Sequence, residues 1–300
     1  MARGAVPARR AGVVRVSAPP LFALTDEEVL ALTGRDSGPV VLPHLAGLRA
    51  SERELAQRTA ERSLAARQVI VPAPGADAGP DRHGTGVRVT APVRPVLELR
   101  AGAPVVVVLH RLLGAPATTF SPTGTPPGPP SSVRQPHGSA SLSRYLHVVD
   151  AVLLTEDVTE HGVHTFGLTI RDELPAVIAE FLIPPDASPG QAAVELCSDD
   201  PAQTLSALCG PTVLAEFAVL DATRRGPPPA STVALGPGGC YSSIDGRAFI
   251  PVAPDELVGS LVRDVVAAER AVAAAVTAAG REDGAASAAG QGSAGGTMPA

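Results

Sequence analysis

The sequence predicts an α+β fold: a quasi-two-fold arrangement of two antiparallel-sheet units with packed helices. Two observations carry this prediction. The first is an internal echo, in which Phe166-Gly-Leu-Thr-Ile-Arg-Asp-Glu-Leu174 recurs as Phe249-Ile-Pro-Val-Ala-Pro-Asp-Glu-Leu257. The second is the change of apolar period inside each copy. Before each Asp-Glu pair the apolar residues alternate, as in a strand. After it, Leu174, Ile178 and Leu182 in one copy and Leu257, Leu261 and Val265 in the other fall at helical spacing. The copies lie too far apart for a solenoid, whose repeats span roughly 20–50 residues. Two strand–helix units within one core are the simpler solution.

The elements follow in chain order. Residues 1–20 have no packing pattern and are expected to form a disordered leader. Thr25-Asp-Glu-Glu28 is a capping box that opens a short helix through Val29-Leu-Ala-Leu32, stopped at Gly34. Ser51-Glu-Arg-Glu54 is a second capping box, and its helix runs to about Arg67 and leads to a short strand at Val69-Ile-Val71. Residues 72–86 are rich in Pro, Gly and Asp and read as loop. Strands are predicted at Val93–Leu99 and Val105–His110, with Ala101-Gly-Ala-Pro104 as the hairpin turn between them. Residues 114–143 contain Thr123-Gly-Thr-Pro-Pro-Gly-Pro-Pro130, which can supply neither a ladder nor a helix, so a long mobile loop is expected.

Strands are predicted next at Tyr145–Leu154 and His164–Ile170, joined by Thr155–Gly162, then a helix from Asp172 to Ile183 closed by Pro184-Pro185. Residues 188–209 read as two helical pieces. Strands are predicted at Val213–Ala222, Thr232–Leu235, Cys240–Ile244 and Phe249–Val252. A last helix starts at Pro254, with Asp255 and Glu256 complementing its N-terminal dipole, and is expected to stop at Gly280. The resulting organisation is a first half over 21–185, a second half over 186–280 and a disordered tail over 281–300.

Composition narrows the function classes. All 24 basic residues are Arg, and the chain has neither Lys nor Asn. Codons for both missing residues are AT-rich, so a high-GC coding bias of the actinobacterial kind is implied. Arg is then the default cation, and an Arg-rich patch says less about phosphate binding than usual. A net charge of −6 argues against a general nucleic-acid binder. No stretch approaches the roughly 18 consecutive apolar residues of a membrane span. The N-terminus lacks an apolar signal-peptide core, because Arg15 interrupts Val13, Val14 and Val16. A cytoplasmic protein is expected. Cys197, Cys209 and Cys240 have no metal-ligand spacing and read as reduced thiols.

Three constellations could carry chemistry. His161-Gly-Val-His164, near Glu156, Asp157 and Glu160, is the one ligand-like cluster, but residues three apart on a hairpin point to opposite faces. A solvated acidic turn is the simpler reading. Cys240 follows a Gly-rich turn, Gly236-Pro-Gly-Gly239, as a nucleophile might, and His147 or His164 would have to approach it as base. A turn entering a strand explains the same residues. No catalytic residue, metal or cofactor is therefore assigned, and the Gly turn lacks a phosphate-loop pattern. Residues 25–71 could form a winged-helix-like DNA-binding start, although Glu52, Glu54 and Glu61 offset most of the arginines of that segment.

The order of parts resembles the actinobacterial EspG family, the ESX (type VII) secretion-associated proteins. The resemblance rests on Phe22-Ala-Leu-Thr-Asp-Glu-Glu-Val-Leu30, the helix over 51–67 with its following strand, Gly236-Pro-Gly-Gly-Cys-Tyr241, and Phe249-Ile-Pro-Val-Ala-Pro-Asp-Glu-Leu257 with its helix. It extends over about residues 20–275. The resemblance implies a quasi-two-fold body of two antiparallel sheets. It further implies a cytosolic chaperone that binds a PPE-like helical client, as a PE–PPE heterodimer, and keeps it soluble before export. Client contacts would then fall near 188–210 and 254–279, with the 114–143 loop free to wrap an apolar tip. Cys240 departs from the larger polar residue expected at its place. Tyr241-Ser-Ser-Ile-Asp245 matches the Tyr-x-x-x-Asp pattern of type VII substrates, but it follows a Gly turn between strands and reads as coincidence.

Overall fold

The computed structural model describes residues 20–34, 38–72, 87–113, 141–196, 201–224 and 228–291. In chain order these form β1 (Phe22–Thr25), α1 (Asp26–Thr33), α2 (Pro43–Ala46), α3 (Ala50–Ala66), β2 (Ile70–Pro72), β3 (Val87–Val89), α4 (Arg94–Gly102), β4 (Val105–Leu113), β5 (Ser141–Val149), β6 (Val152–Thr159) and β7 (Val163–Ile170). There follow α5 (Leu174–Leu182), β8 (Val194–Glu195), α6 (Pro201–Ala207), β9 (Val213–Asp221), β10 (Ala230–Gly236), β11 (Gly239–Ser243), β12 (Ala248–Pro251) and α7 (Pro254–Gln291). The fold is α+β, built on one ten-stranded sheet of order β1-β7-β6-β5-β4-β9-β10-β11-β12-β8, with β2 and β3 paired separately. All the strand pairs are antiparallel.

That strand order is a palindrome of two equivalent runs. The meander β4-β5-β6-β7 takes β1 on its outer edge, and the meander β9-β10-β11-β12 takes β8 on its outer edge. Each meander is followed by a helix, α5 or α7, and both helices pack on the same face. The sequence echo maps onto this symmetry, with Phe166 facing Phe22 in one half and Phe249 facing Val194 in the other. Following the strand registers inward, Glu156 corresponds to Ser243, Tyr145 to Thr232 and Val108 to Glu216. Across the join, Val108 faces Ala218 while Glu216 faces His110. The pseudo-two-fold axis therefore passes through the pair between them, Leu109 and Phe217, both buried.

Side-chain alternation sorts the strands onto two faces. One face carries Val105, Val107, Leu109, Leu146, Val148, Val213, Phe217, Val233 and Leu235 against Ile178, Phe181, Leu182, Leu257, Leu261 and Val265 of α5 and α7. The opposite face is covered in patches. Over the β1/β7/β6 end, α1, α3 and α4 bury Val29, Leu32, Leu64, Val96 and Leu97 against Leu24, Leu154 and Phe166. Over the other end, Leu208 meets Ala234, Tyr241 and Phe249. Between these patches Val108, His110, Ala218 and Leu220 are half-buried, and Glu216 and Ala230 are exposed.

The structure corrects several expectations. The two units join edge to edge through β4 and β9 into one sheet, because both first meander strands present free, matching edges. Val93–Leu99 is not a strand: Pro95 starts α4, whose buried residues Val96, Leu97 and Arg100 follow a helical period that the alternating apolar residues concealed. Tyr145–Leu154 splits at Asp150-Ala151, a two-residue turn in which Asp150 takes a φ of +50°, so the predicted connection 155–162 is mostly β6. Where two helical pieces are expected over 188–209, the described residues form the short strand β8 and the helix α6. The last helix continues past Gly280 to Gln291. The leader over 1–19, most of the loop (114–140) and the tail over 292–300 lie outside the described residues.

Candidate functional site

Of the residues singled out from sequence, the structure brings His147, Glu156 and His164 together and leaves Cys240 and His161 apart from them. Cys240 is fully buried on the α5/α7 face, and burial pushes its thiol up. His147 and His164 lie on the opposite face of the sheet, in the other half, so neither reaches Cys240. His161 is exposed on the β6–β7 turn, its Nε2 3.7 Å from Glu160, while His164 is fully buried, so the two rings share no metal. Among the described residues no group of His, Cys, Asp and Glu is arranged to hold a metal ion. No helix among them is long and apolar enough to cross a membrane. The winged-helix segment is instead built into the sheet, with α1 and α3 packed on β1 and β7, and arginines of α3 or its flanks pair with Glu52, Glu54 and Glu28.

What the structure does assemble is a buried ionic relay. His164 on β7 stands between two carboxylates, with Nε2 2.7 Å from Asp26 Oδ1 and Nδ1 2.7 Å from Glu156 Oε1. Glu156 Oε2 accepts from His147 Nε2 at 2.9 Å and from Arg100 Nε at 2.9 Å. The side chains of Asp26, His147, Glu156 and His164 are wholly buried and that of Arg100 nearly so. A neutral imidazole has one N–H, so two carboxylate contacts at this distance require the imidazolium. Burial works against the charge, but the hydrogen bonds that His164 donates to Asp26 and Glu156, with the charges of both carboxylates, outweigh it and raise the affinity of His164 for its proton. At Glu156, burial works upward, but His147, His164 and the charge of Arg100 win and hold the carboxyl well below the usual range. His147 Nδ1 has no partner, so this ring needs only the proton on Nε2. With Asp26 and Glu156 negative and His164 and Arg100 positive, the cluster is neutral, the condition under which burying it is tolerable.

Asp26 has a second task. Its Oδ2 accepts from the backbone N–H of His44 at 2.7 Å and of Leu45 at 3.3 Å, capping α2. Just before α2, the Val41 N–H donates to the Tyr145 hydroxyl at 3.1 Å. These two anchors hold Val41 and Pro43 as one wall of a groove of about 480 Å³ whose other apolar lining comes from Val108, Tyr145 and Val158. Ser143 and His110, cross-strand neighbours joined by a 2.9 Å hydrogen bond, and Glu160 contribute its polar atoms. The groove opens beside the strip of β4 and β9 that the described residues leave uncovered.

Sequence reasoning missed this relay for specific reasons. Asp26 was absorbed into the Thr25–Glu28 capping box, which does form. Glu156 fell in a predicted connection. The available signal was alternation, since Glu156 lies between Leu154 and Val158 on the inward-facing positions of one strand. A charge there demands a buried partner.

The fold and groove together define an α+β protein with a sheet face that is partly apolar and open among the described residues. No family model and no curated protein matches the chain. Among solved structures, it is similar to the Mycobacterium tuberculosis type VII secretion system chaperone EspG5, determined in complex with a PE25–PPE41 dimer. The identity is 14%, the TM-score 0.48, and the match covers 82% of this chain and 96% of that one.

Proposed function

We propose that this chain is a non-enzymatic chaperone or adaptor of the type VII secretion class, holding a PPE-like helical client, within a PE–PPE heterodimer, before export. The supporting observation is the groove of about 480 Å³ on the open face of the sheet, apolar along Val41, Pro43, Val108 and Val158. Its size and lining suit an apolar helix tip laid against a preformed surface. The family resemblance in the sequence supplies the client class. The division of the chain near residue 185 into two related halves belongs to the same reading, as does a cytosolic location.

The test is co-elution of the purified chain with a PE–PPE heterodimer from the same organism. A stable complex formed by wild type and lost in Val108→Arg supports the reading. Absence of a complex, or one indifferent to Val108→Arg and Val158→Arg, overturns it.

A further inference from the structure

The groove and the buried relay share one residue. Asp26 gives one carboxylate oxygen to His164 and the other to the first amides of α2, and α2 with its preceding residues forms the groove wall. We propose that His164 is the positioning residue of this groove: through Asp26 it fixes α2, and the wall formed by Val41 and Pro43 is set only while His164 carries both ring protons. The inference rests on the reading of the groove as the partner site and adds its regulation.

The geometry gives the sign. Around His164 stand Asp26 from α1, Glu156 from β6, and, through Glu156, Arg100 from α4 and His147 from β5. Phe166 stacks beside the ring at 6.4 Å. Removing one proton from His164 leaves two carboxylates facing one cation, Arg100, and sets a ring lone pair against a carboxylate at 2.7 Å. Glu156 retains two other donors. Asp26 retains only backbone amides and is adjoined by Gly162, whose N–H is turned to Thr159 O. The contact that yields is therefore Asp26–His164, and the cap on α2 loosens with it. His164 holds its proton more tightly than an ordinary histidine. The wall is therefore ordered below the ordinary histidine range and is released as pH rises through the elevated value. A second histidine, His44 of α2, stands 3.4 Å from Glu27 on the outer side and needs its own control.

Two measurements on the intact chain decide the matter. Imidazole NMR at neutral pH should show both ring nitrogens of His164 protonated; a single-proton signature overturns the proposal. Amide exchange at His44 and Leu45, normalised to intrinsic rates, should lose about tenfold protection as pH rises past the His164 transition. The same loss should appear at neutral pH in His164→Gln, persist in His44→Gln and leave β4 and β9 unchanged. Protection that is indifferent to pH and to His164→Gln overturns the proposal. Should His164→Gln fail to fold, the wild-type titration carries the same readout. The outcomes separate from those of the function test. A loosened wall with client binding indifferent to Val108→Arg refutes only the client site, whereas a client bound at Val108 with a pH-insensitive wall refutes only the role of His164.

Discussion

Glu156→Gln is the most demanding test of the buried relay. The wild-type carboxylate receives three charge-assisted or polar donors, from Arg100, His147 and His164. The amide removes the negative charge, leaving Arg100 and His164 against Asp26 alone. Its NH₂ group also points a donor at a donor, whichever way it is turned. Breaking a buried ion pair on one side costs about 3–5 kcal/mol, a large share of the 5–15 kcal/mol by which folded domains typically exceed their unfolded state. For a chain of this size about 2–4 °C is lost per kcal/mol, so Tm should fall by roughly 6–20 °C. The assay is thermal and urea unfolding of both proteins at several pH values. Because the Glu156 carboxyl is held below its unfolded value, its contribution is complete above the unfolded carboxylate range and shrinks as pH falls toward the folded value. The gap between the two proteins should therefore be widest near neutrality and narrow in acid. In wild type the His164 contribution has the opposite sense, present below the ordinary histidine range and lost as pH rises through its raised value. A Gln variant within 1 kcal/mol of wild type at pH 7 would refute the account of a charge-balanced cluster.

Further outcomes follow from other contacts. At Gly162 φ is +69°, and a Cβ would sit 2.7 Å from the Asp26 Cγ, so Gly162→Ala should cost about 1–3 kcal/mol in denaturant unfolding. Leu109→Ala, on the pseudo-two-fold axis and fully buried, should cost about 2–5 kcal/mol, with loss of cooperativity between the halves visible as probe-dependent transitions. Iodoacetamide on the native chain should label exposed Cys209 rapidly and spare Cys240, as read by peptide mass spectrometry.

Much of the fold could be read from the sequence, because local rules and tertiary packing agree over most of it. The Phe166/Phe249 echo located the symmetry, and the capping box at Thr25 and the strand at Phe249 formed as expected. The failures occurred where two periods overlap. In Val93–Leu99 every second residue is apolar, yet Pro95 and the burial of Val96, Leu97 and Arg100 settle on a helix. The join between halves was invisible, because pairing β4 with β9 is a choice between sheet edges that no local pattern records. The relay was hidden for a related reason. Asp26, Arg100, His147, Glu156 and His164 come from five elements, and only the assembled sheet brings them together.

The symmetry is one of backbone and not of chemistry. Glu156 corresponds to Ser243, whose hydroxyl bonds Asp245 at 3.0 Å. Asp245 in turn accepts from the amides of Arg247 and Ala248, which hold its carboxyl at about 2. A turn thus stands in the second half where the first half continues β6 to Thr159 and builds a charge relay. The groove shows the same divergence, since Val108 and Tyr145 are replaced across the axis by exposed Glu216 and half-buried Thr232. A duplicated scaffold that kept both sites would present two apolar grooves related by the axis. Polar residues at the second set of positions remove that option. Binding at the proposed groove should therefore saturate at one client per chain, the axis of the sheet notwithstanding.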